Sequence, residues 1–183
     1  MERKNSGLSA MAMTAVVAAV LAVVSPVALP IGPIPISLCT LIIFLAVYVL
    51  GWRRGTTAVL VYVLMGVVGM PVFSGFSGGL GKVLGPTGGY IVGYLILALI
   101  SGVAVERYPN HRLLQLLGMI LGTAALYALG TAWFCFQSET PLAGALSACV
   151  FPFLPGDAVK MAVACALGPA LRERLKEAGL LPE

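Results

Sequence analysis

The chain has 183 residues, of which 60% are hydrophobic and only 10% are charged, and its mean hydropathy is +1.02. A soluble domain carries about 25% charged residues, so this composition excludes an ordinary water-soluble protein and indicates a membrane protein. The four cysteines lie far apart and His111 is the lone histidine, so the sequence offers no zinc or redox motif. The net charge of +4 does not indicate nucleic-acid binding, because the basic residues are placed as they are in membrane proteins.

Prolines and charges divide the apolar sequence into six predicted membrane helices. About 20 residues span a bilayer, so the apolar block before Trp52 is too long for one helix. Prolines at positions 26, 30, 33 and 35 divide this block, because proline ends helices and stiffens loops. We therefore predict an all-α integral membrane protein with one domain over residues 1–183. The predicted helices cover residues 8–25, 37–51, 56–70, 90–105, 113–136 and 157–171, with a rigid loop over 26–36 and a glycine-rich loop over 71–89.

The segment before the last helix is apolar but contains helix breakers. The sequence QSETP, residues 137–141, ends the fifth predicted helix, and Pro152 and Pro155 interrupt the apolar residues that follow. Proline in a helix interior removes a hydrogen bond and clashes with the preceding turn. We therefore predict that an irregular apolar segment precedes helix six.

The basic residues predict the orientation of the chain in the membrane. With six crossings, nine of the eleven basic residues fall on one side: Arg3, Lys4, Arg53, Arg54, Arg107, Arg112, Arg172, Arg174 and Lys176. Lysine and arginine collect in cytoplasmic segments, so we predict that both termini are cytoplasmic. Lys82 and Lys160 are the two basic residues left for the outer half.

The stretch FLPGDAVK places two charges, Asp157 and Lys160, in apolar surroundings. Counted along a helix from Arg172, Lys160 lies about 18 Å and Asp157 about 22 Å towards the outer side, within a hydrocarbon core about 30 Å thick. Ionisable residues at that depth pair with each other or face a cavity. A helix cap with an internal ion pair and a substrate site are both compatible with this spacing, and the membrane depth favours the substrate site.

The glycine-rich loop is a second candidate for a site. Seven glycines between positions 75 and 89 surround Lys82 and include the motif GPTGGY. Helix packing explains scattered glycines, but such a dense run is better explained by irregular backbone that lines a cavity. Gly81-Lys82 is followed by Val83, so the pattern of a phosphate-binding loop is absent and we predict no ATP site in this chain.

Three segments carry a resemblance to a known family: PIGPIPISLCTL (Pro30–Leu41), the segment Gly51–Tyr94 with GPTGGY near its end, and FLPGDAVK (Phe153–Lys160). Together they resemble the BioY family, the biotin-specific S components, or substrate-binding subunits, of energy-coupling factor (ECF) transporters. The order of the segments covers nearly the whole chain, and GPTGGY together with PGDxxK is more specific than either motif alone.

The resemblance implies six membrane helices in a bacterial or archaeal cell membrane and a site that binds biotin from outside, with residues 26–36 as a lid. It implies a transport subunit, not an enzyme, with biotin as ligand and no cofactor. Its partners would be a transmembrane coupling subunit and two ATP-binding cassette ATPases. Ala15 and Ala19, at a spacing that lets another helix pack closely, would contact the coupling subunit. The substrate-binding residues would be Asp157, Lys160, Lys82, Thr87, Gly89, Tyr90 and Cys39, which stands where the family often has glutamine.

The chemistry of the Asp–Lys pair suits the ureido ring of biotin. Asp157 can accept a hydrogen bond from a ring N–H, and Lys160 can donate one to the ring carbonyl. The opposite assignment, Lys160 to the valerate carboxylate, stays open. Lys82 and N–H groups of the glycine-rich loop are the other candidates for that carboxylate. Alternative functions are an S component for another vitamin and a stand-alone transporter of a small solute. A membrane enzyme is disfavoured, because no nucleophile–base pair stands beside Asp157.

Overall fold

The computed structural model of the protein describes residues 2–29 and 34–181, and it confirms the predicted helical class. Within these ranges, five helices are long and apolar enough to cross a membrane. Four residues of the predicted loop over 26–36, at positions 30–33, lie outside the described residues. In chain order the elements are α1 (Glu2–Val24), β1 (Ala28–Leu29), β2 (Ile36–Ser37), α2 (Cys39–Val67), α3 (Leu80–Val83), α4 (Gly88–Arg107), α5 (Arg112–Ser138), α6 (Leu142–Cys149) and α7 (Leu154–Glu177).

Helix α2 consists of two arms that fold back on each other at Gly51. Gly51 has φ 76° and ψ 177°, which is not helical, and only glycine adopts this region readily. Cys39 Sγ lies 4.0 Å from Tyr62 Oη, and a Cβ placed on Gly55 would lie 3.1 Å from the Cα of Val47. Residues at similar separations before and after Gly51 are therefore neighbours. The first arm, residues 39–50, and the second arm, residues 52–67, run antiparallel.

The carboxylate of Glu106, near the end of α4, lies at this bend. Its Oε2 accepts a hydrogen bond of 3.2 Å from the Trp52 backbone N–H. The first N–H groups of a helix have no partner within the helix, so Glu106 satisfies one of those of the second arm. The same contact shows that the end of α4 meets the start of the second arm, so these two helices are antiparallel.

Arginine contacts show that several chain segments meet at one end of the bundle, called the basic end below. Arg112 donates a hydrogen bond of 2.7 Å to the Cys165 carbonyl, and Arg172 donates one of 3.3 Å to the Tyr48 carbonyl. The hydroxyl of Ser9 donates to the Leu180 carbonyl at 3.0 Å. The beginning of α1 and the segment after α7 therefore lie together, as expected if the chain crosses the membrane an even number of times.

The opposite end carries two short paired strands, and β1, β2 and the described residues Ile34 and Pro35 are together called the lid below. Ala28 pairs with Ser37 and Leu29 pairs with Ile36 in an antiparallel register. The glycine-rich segment supports the base of the lid, because the Gly75 N–H donates to the Pro26 carbonyl at 3.0 Å.

Three expectations about local structure are corrected. The segment before the last helix is not irregular, because residues Leu142–Cys149 form helix α6 and turns lead from it into α7. Helix α7 begins at Leu154 rather than at residue 157, since Pro155 occupies the first turn, where its missing N–H costs no hydrogen bond. The glycine-rich loop likewise contains the short helix α3, and α4 begins at Gly88.

Candidate functional site

A buried ion pair lies in the first turns of α7. Lys160 Nζ is 2.8 Å from Asp157 Oδ1, and the two residues are only 9% and 4% exposed. Both side chains lie on one face of α7 because three residues make nearly one helical turn. Removing two charges from water is costly, and the cost is offset only when their remaining hydrogen-bonding atoms are also satisfied.

Two further side chains complete this polar cluster. The Thr40 hydroxyl, in the first arm of α2, donates to Asp157 Oδ1 at 3.3 Å and accepts from Lys160 Nζ at 3.2 Å. The Tyr127 hydroxyl, on α5, donates to Asp157 Oδ2. The polar cluster, defined as Thr40, Tyr127, Asp157 and Lys160, therefore joins three helices.

Thr40 and Tyr127 are site residues that the sequence did not predict. Thr40 lies inside the motif PISLCTL, and Tyr127 is one of few hydroxyl groups in an apolar helix. Nothing in the sequence around either residue distinguishes it from an ordinary helix residue. Only the folded chain shows that both hydroxyls reach the carboxylate of Asp157.

Two small cavities lie beneath the lid and share part of their walls. The shared wall consists of Ile34, Pro35, Ser37, Tyr90 and Tyr94. The first cavity, of about 40 Å³, is also lined by the whole polar cluster. The second, of about 20 Å³, extends towards Ser25, Phe73 and Thr87. The hydroxyl oxygens of Ser25 and Thr87 are buried and have no hydrogen-bond partner among the described residues, so they are free to bind a polar group that enters this cavity.

The structure separates the predicted site residues into two groups. Asp157, Lys160, Tyr90 and Thr87 line the cavities. Tyr90 is held in position by its hydroxyl, which is 3.1 Å from Thr131 Oγ1.

The other three predicted residues do not line either cavity. Gly89 packs α4 against α5, since a Cβ there would lie 2.4 Å from Trp133 Cβ. Cys39 is buried behind the cavity wall beside Tyr62. Lys82 lies half-buried in α3, and its amine forms no hydrogen bond or ion pair with the residues described.

Helix α1 carries two rows of small residues, Ala15–Ala19 and Ala18–Ala22, which face different surroundings. Ala15 and Ala19 are exposed, whereas Ala18 is 2% exposed and faces the bundle with Ala22. Of the two rows with small-xxx-small spacing, only the Ala15–Ala19 row is free to pack against another protein.

We expect Tyr127→Phe to lower the stability of the protein by about 1 kcal/mol. Hydrogen bonds to charged groups contribute about 1.5–3 kcal/mol in soluble proteins, and polar contacts between membrane helices average about 0.6 kcal/mol. Thermal unfolding in detergent should show a decrease of about 2–4 °C. Tyr108→Phe is the matched control, because Tyr108 is 42% exposed. Equal melting temperatures for both variants would contradict the contact of Tyr127 with Asp157.

Comparison with known proteins places the chain in a family. The BioY family model matches residues 1–177. The chain is 35% identical to a biotin transporter BioY of Thermotoga maritima over 80% of this chain and 86% of that protein. It is 31% identical to the biotin transporter BioY2 of Lactococcus lactis over 92% of each. A crystal structure of the S-component for biotin from an ECF-type ABC transporter superimposes with a TM-score of 0.85, at 29% identity, over 92% of this chain and 93% of that one.

The long apolar helices and the polar cluster beneath a lid define a class of protein, a multi-pass membrane protein with an enclosed polar site. Its match along nearly the whole length to transporter subunits identifies the class more closely as a transport protein and not an enzyme. The chain belongs to the BioY family. The resemblance drawn from GPTGGY and PGDxxK is thereby confirmed.

Proposed function

We propose that this protein binds biotin in the cavities beneath the lid and serves as the biotin-specific S component of an ECF transporter. The observation that carries the proposal is the polar cluster, which presents a buried carboxylate and ammonium group 2.8 Å apart on one cavity wall. The relatives named as biotin transporters support the same ligand.

The ureido ring is complementary to the polar cluster in its hydrogen-bonding groups. Its N–H groups are donors for Asp157, and its carbonyl is an acceptor for Lys160. Because the two charged groups are adjacent, one small ring can contact both of them. Hydrogen bonds to charged groups are stronger than neutral ones, and a site closed by the lid protects them from water.

We propose that the valerate tail of biotin extends towards the second cavity once the lid has opened. The two cavities share a wall, so a ligand whose ring contacts Asp157 would direct its tail towards Ser25 and Thr87. The unpartnered hydroxyls of these residues are suitable donors for a carboxylate. Lys82, in the adjacent α3, is a candidate for the same carboxylate once the glycine-rich segment adjusts.

Entry of biotin requires the lid to move. Cavities of about 40 and about 20 Å³ admit only a few water molecules, since one water needs about 10–15 Å³. Ile34, Pro35 and Ser37 of the lid contribute to both cavities. Opening of the lid would therefore enlarge the site and expose the polar cluster.

The proposed topology has six crossings, with the two arms of α2 counted separately. The antiparallel arms and the contact of Ser9 with Leu180 support an even number. The concentration of arginines at the basic end supports a cytoplasmic position for both termini. The lid and the polar cluster would then face the outside of a bacterial or archaeal cell.

Uptake would require an ECF module, namely a transmembrane coupling subunit and two ATP-binding cassette ATPases. The structural neighbour is an S-component from such a transporter. The exposed Ala15–Ala19 row on α1 is the surface that we propose for the coupling subunit. A stand-alone transporter is the alternative, and uptake of biotin by cells that contain this chain without ATPases would favour it.

Calorimetry with the detergent-purified protein and a panel of vitamins tests the ligand. We expect biotin to bind and Asp157→Asn to weaken this binding by about 10- to 150-fold, the effect of losing a hydrogen bond to a charged group. Glu139→Gln is the matched control, because Glu139 is an exposed acid at the end of α5 and lines neither cavity. Tight binding of a different vitamin, or unchanged biotin affinity in Asp157→Asn, would contradict the proposal.

A comparison of biotin with biotinamide, which lacks the negative charge of the tail, distinguishes the two roles of Lys160. If Lys160 contacts the ring, Lys160→Met weakens both ligands by the same factor. If Lys160 holds the carboxylate, the variant weakens biotin more than biotinamide. The same two ligands, measured with Lys82→Met, test whether Lys82 holds the tail. The ratio of the affinities for biotin and biotinamide is insensitive to a general loss of stability.

A further inference from the structure

A groove on the outer surface of the bundle, away from the lid, runs between the second arm of α2 and α4. Its volume is about 450 Å³. Trp52 and Arg53 lie at one end of it, and the side chains of Leu60, Leu95, Ile96 and Leu99 form its apolar wall. Leu60 and Leu99 are 43% and 42% exposed. The groove is thus open to the surrounding membrane.

The groove changes from charged to apolar along the membrane normal. Trp52 and Glu106 meet at the basic end. Leu60 is eight residues from Trp52 in one helix, about 12 Å along its axis. Ile96 is ten residues from Glu106 in the antiparallel helix, about 15 Å along its axis. Half of the hydrocarbon core is about 15 Å thick, so the apolar wall extends through the leaflet at the basic end.

The charge at the mouth of the groove is available to a ligand. The Arg53 guanidinium lies 5.0 Å from the centre of the Trp52 ring, and it forms no ion pair with any residue in the described ranges. The nearby carboxylate of Glu106 accepts the Trp52 N–H instead. Arginine and tryptophan are typical of the level of lipid headgroups.

We propose that this groove binds one anionic phospholipid, with its headgroup phosphate at Arg53 and one acyl chain along Leu60, Leu95 and Leu99. A soluble anion would leave the apolar wall uncovered. A second copy of this chain packed about a two-fold axis would cover the wall but would bring the same basic residues of both copies towards each other. An anionic lipid would neutralise Arg53 with its headgroup and cover the apolar wall with its acyl chain. Basic pockets between membrane helices are suited to such headgroups.

The test measures how much lipid the purified protein retains. The protein in mild detergent is incubated with equal amounts of phosphatidylglycerol and phosphatidylcholine, and native mass spectrometry measures the bound fraction of each lipid. We expect a preference for phosphatidylglycerol that falls about five-fold in Arg53→Gln, the effect of one basic residue near a membrane surface. Arg54→Gln is the matched control, since Arg54 is exposed and lies outside the groove. Equal losses in both variants, or no preference in the wild type, would overturn the proposal.

A second pair of variants tests the apolar wall. Leu99→Trp fills the groove and should reduce retention of phosphatidylglycerol at least five-fold. Val92→Trp adds the same bulk at an exposed position of α4 outside the groove and should leave retention unchanged. Gel filtration of all variants checks folding. If the wild type retains no lipid but forms a dimer that Leu99→Trp disrupts, the groove is an interface between two copies and the proposal is wrong.

Discussion

Lys160→Met should destabilise the protein more than the simultaneous replacement of Lys160 and Asp157. Loss of one member of a buried ion pair leaves an uncompensated charge and costs about 3–5 kcal/mol. For a protein of this length that corresponds to a decrease of about 6–20 °C in the melting temperature. The double variant Asp157→Asn, Lys160→Met removes both charges while keeping similar side-chain volumes. It should therefore recover most of the lost stability in thermal unfolding experiments.

The double variant also separates the two interpretations of FLPGDAVK. If the ion pair only caps and stabilises α7, the stable double variant should bind biotin as well as the wild type does. If the pair is the binding site, the double variant should be folded but should not bind biotin. We expect the second result, because both charged groups line a cavity, Asp157 contacts hydroxyls of two other helices and Lys160 contacts one of them. A double variant as unstable as Lys160→Met would contradict the ion-pair argument, whatever its affinity for biotin.

Gly51→Ala should lower the free energy of unfolding by about 3 kcal/mol. The backbone at Gly51, with φ 76° and ψ 177°, costs a residue with a side chain about 1–3 kcal/mol. The new methyl group would also lie 2.6 Å from Glu106 Oε2 and would displace the carboxylate from the Trp52 N–H. Thermal unfolding in detergent should show a decrease of several degrees.

Two controls distinguish the causes of this effect. Gly7→Ala introduces the same methyl group in helix α1, where a Cβ would meet nothing within 4 Å, and should be neutral or slightly stabilising. Gly51→Ala combined with Glu106→Ala removes the clash but not the backbone strain, so it should remain less stable than Glu106→Ala alone. If Gly51→Ala is as stable as Gly7→Ala, the sharp reversal between the two arms of α2 is wrong.

The hydrogen bonds within the polar cluster would have to change when a ligand binds to Asp157. Thr40 lies in the first turn of α2, directly after the lid, and Asp157 lies in the first turn of α7. A ligand that forms hydrogen bonds with Asp157 competes with Thr40 and Tyr127 for the same carboxylate oxygens. If biotin binds there as proposed, the contact of Thr40 with Asp157 at the base of the lid would therefore have to adjust.

Local features of the sequence were sufficient to predict the helical membrane class and the pairing of Asp157 with Lys160. Each of these conclusions depends on properties of residues that are close together in the sequence. Apolar runs of sufficient length, charges at their ends and two ionisable residues at membrane depth keep their meaning in any packing. The family resemblance also rests on local motifs, and the match over residues 1–177 confirms it.

The tertiary structure decided which residues surround the pair and which predicted residues stay away from it. Thr40 and Tyr127 are distant from Asp157 in the sequence and meet it only because three helices converge. Gly89 belongs to the motif GPTGGY, but in the structure its missing side chain allows α4 to pack closely against Trp133. Pro155 was expected to interrupt a helix and instead lies in its first turn. Contacts between distant segments depend on helix packing and rotation, which single-residue preferences do not specify, so these features emerge only in the folded protein.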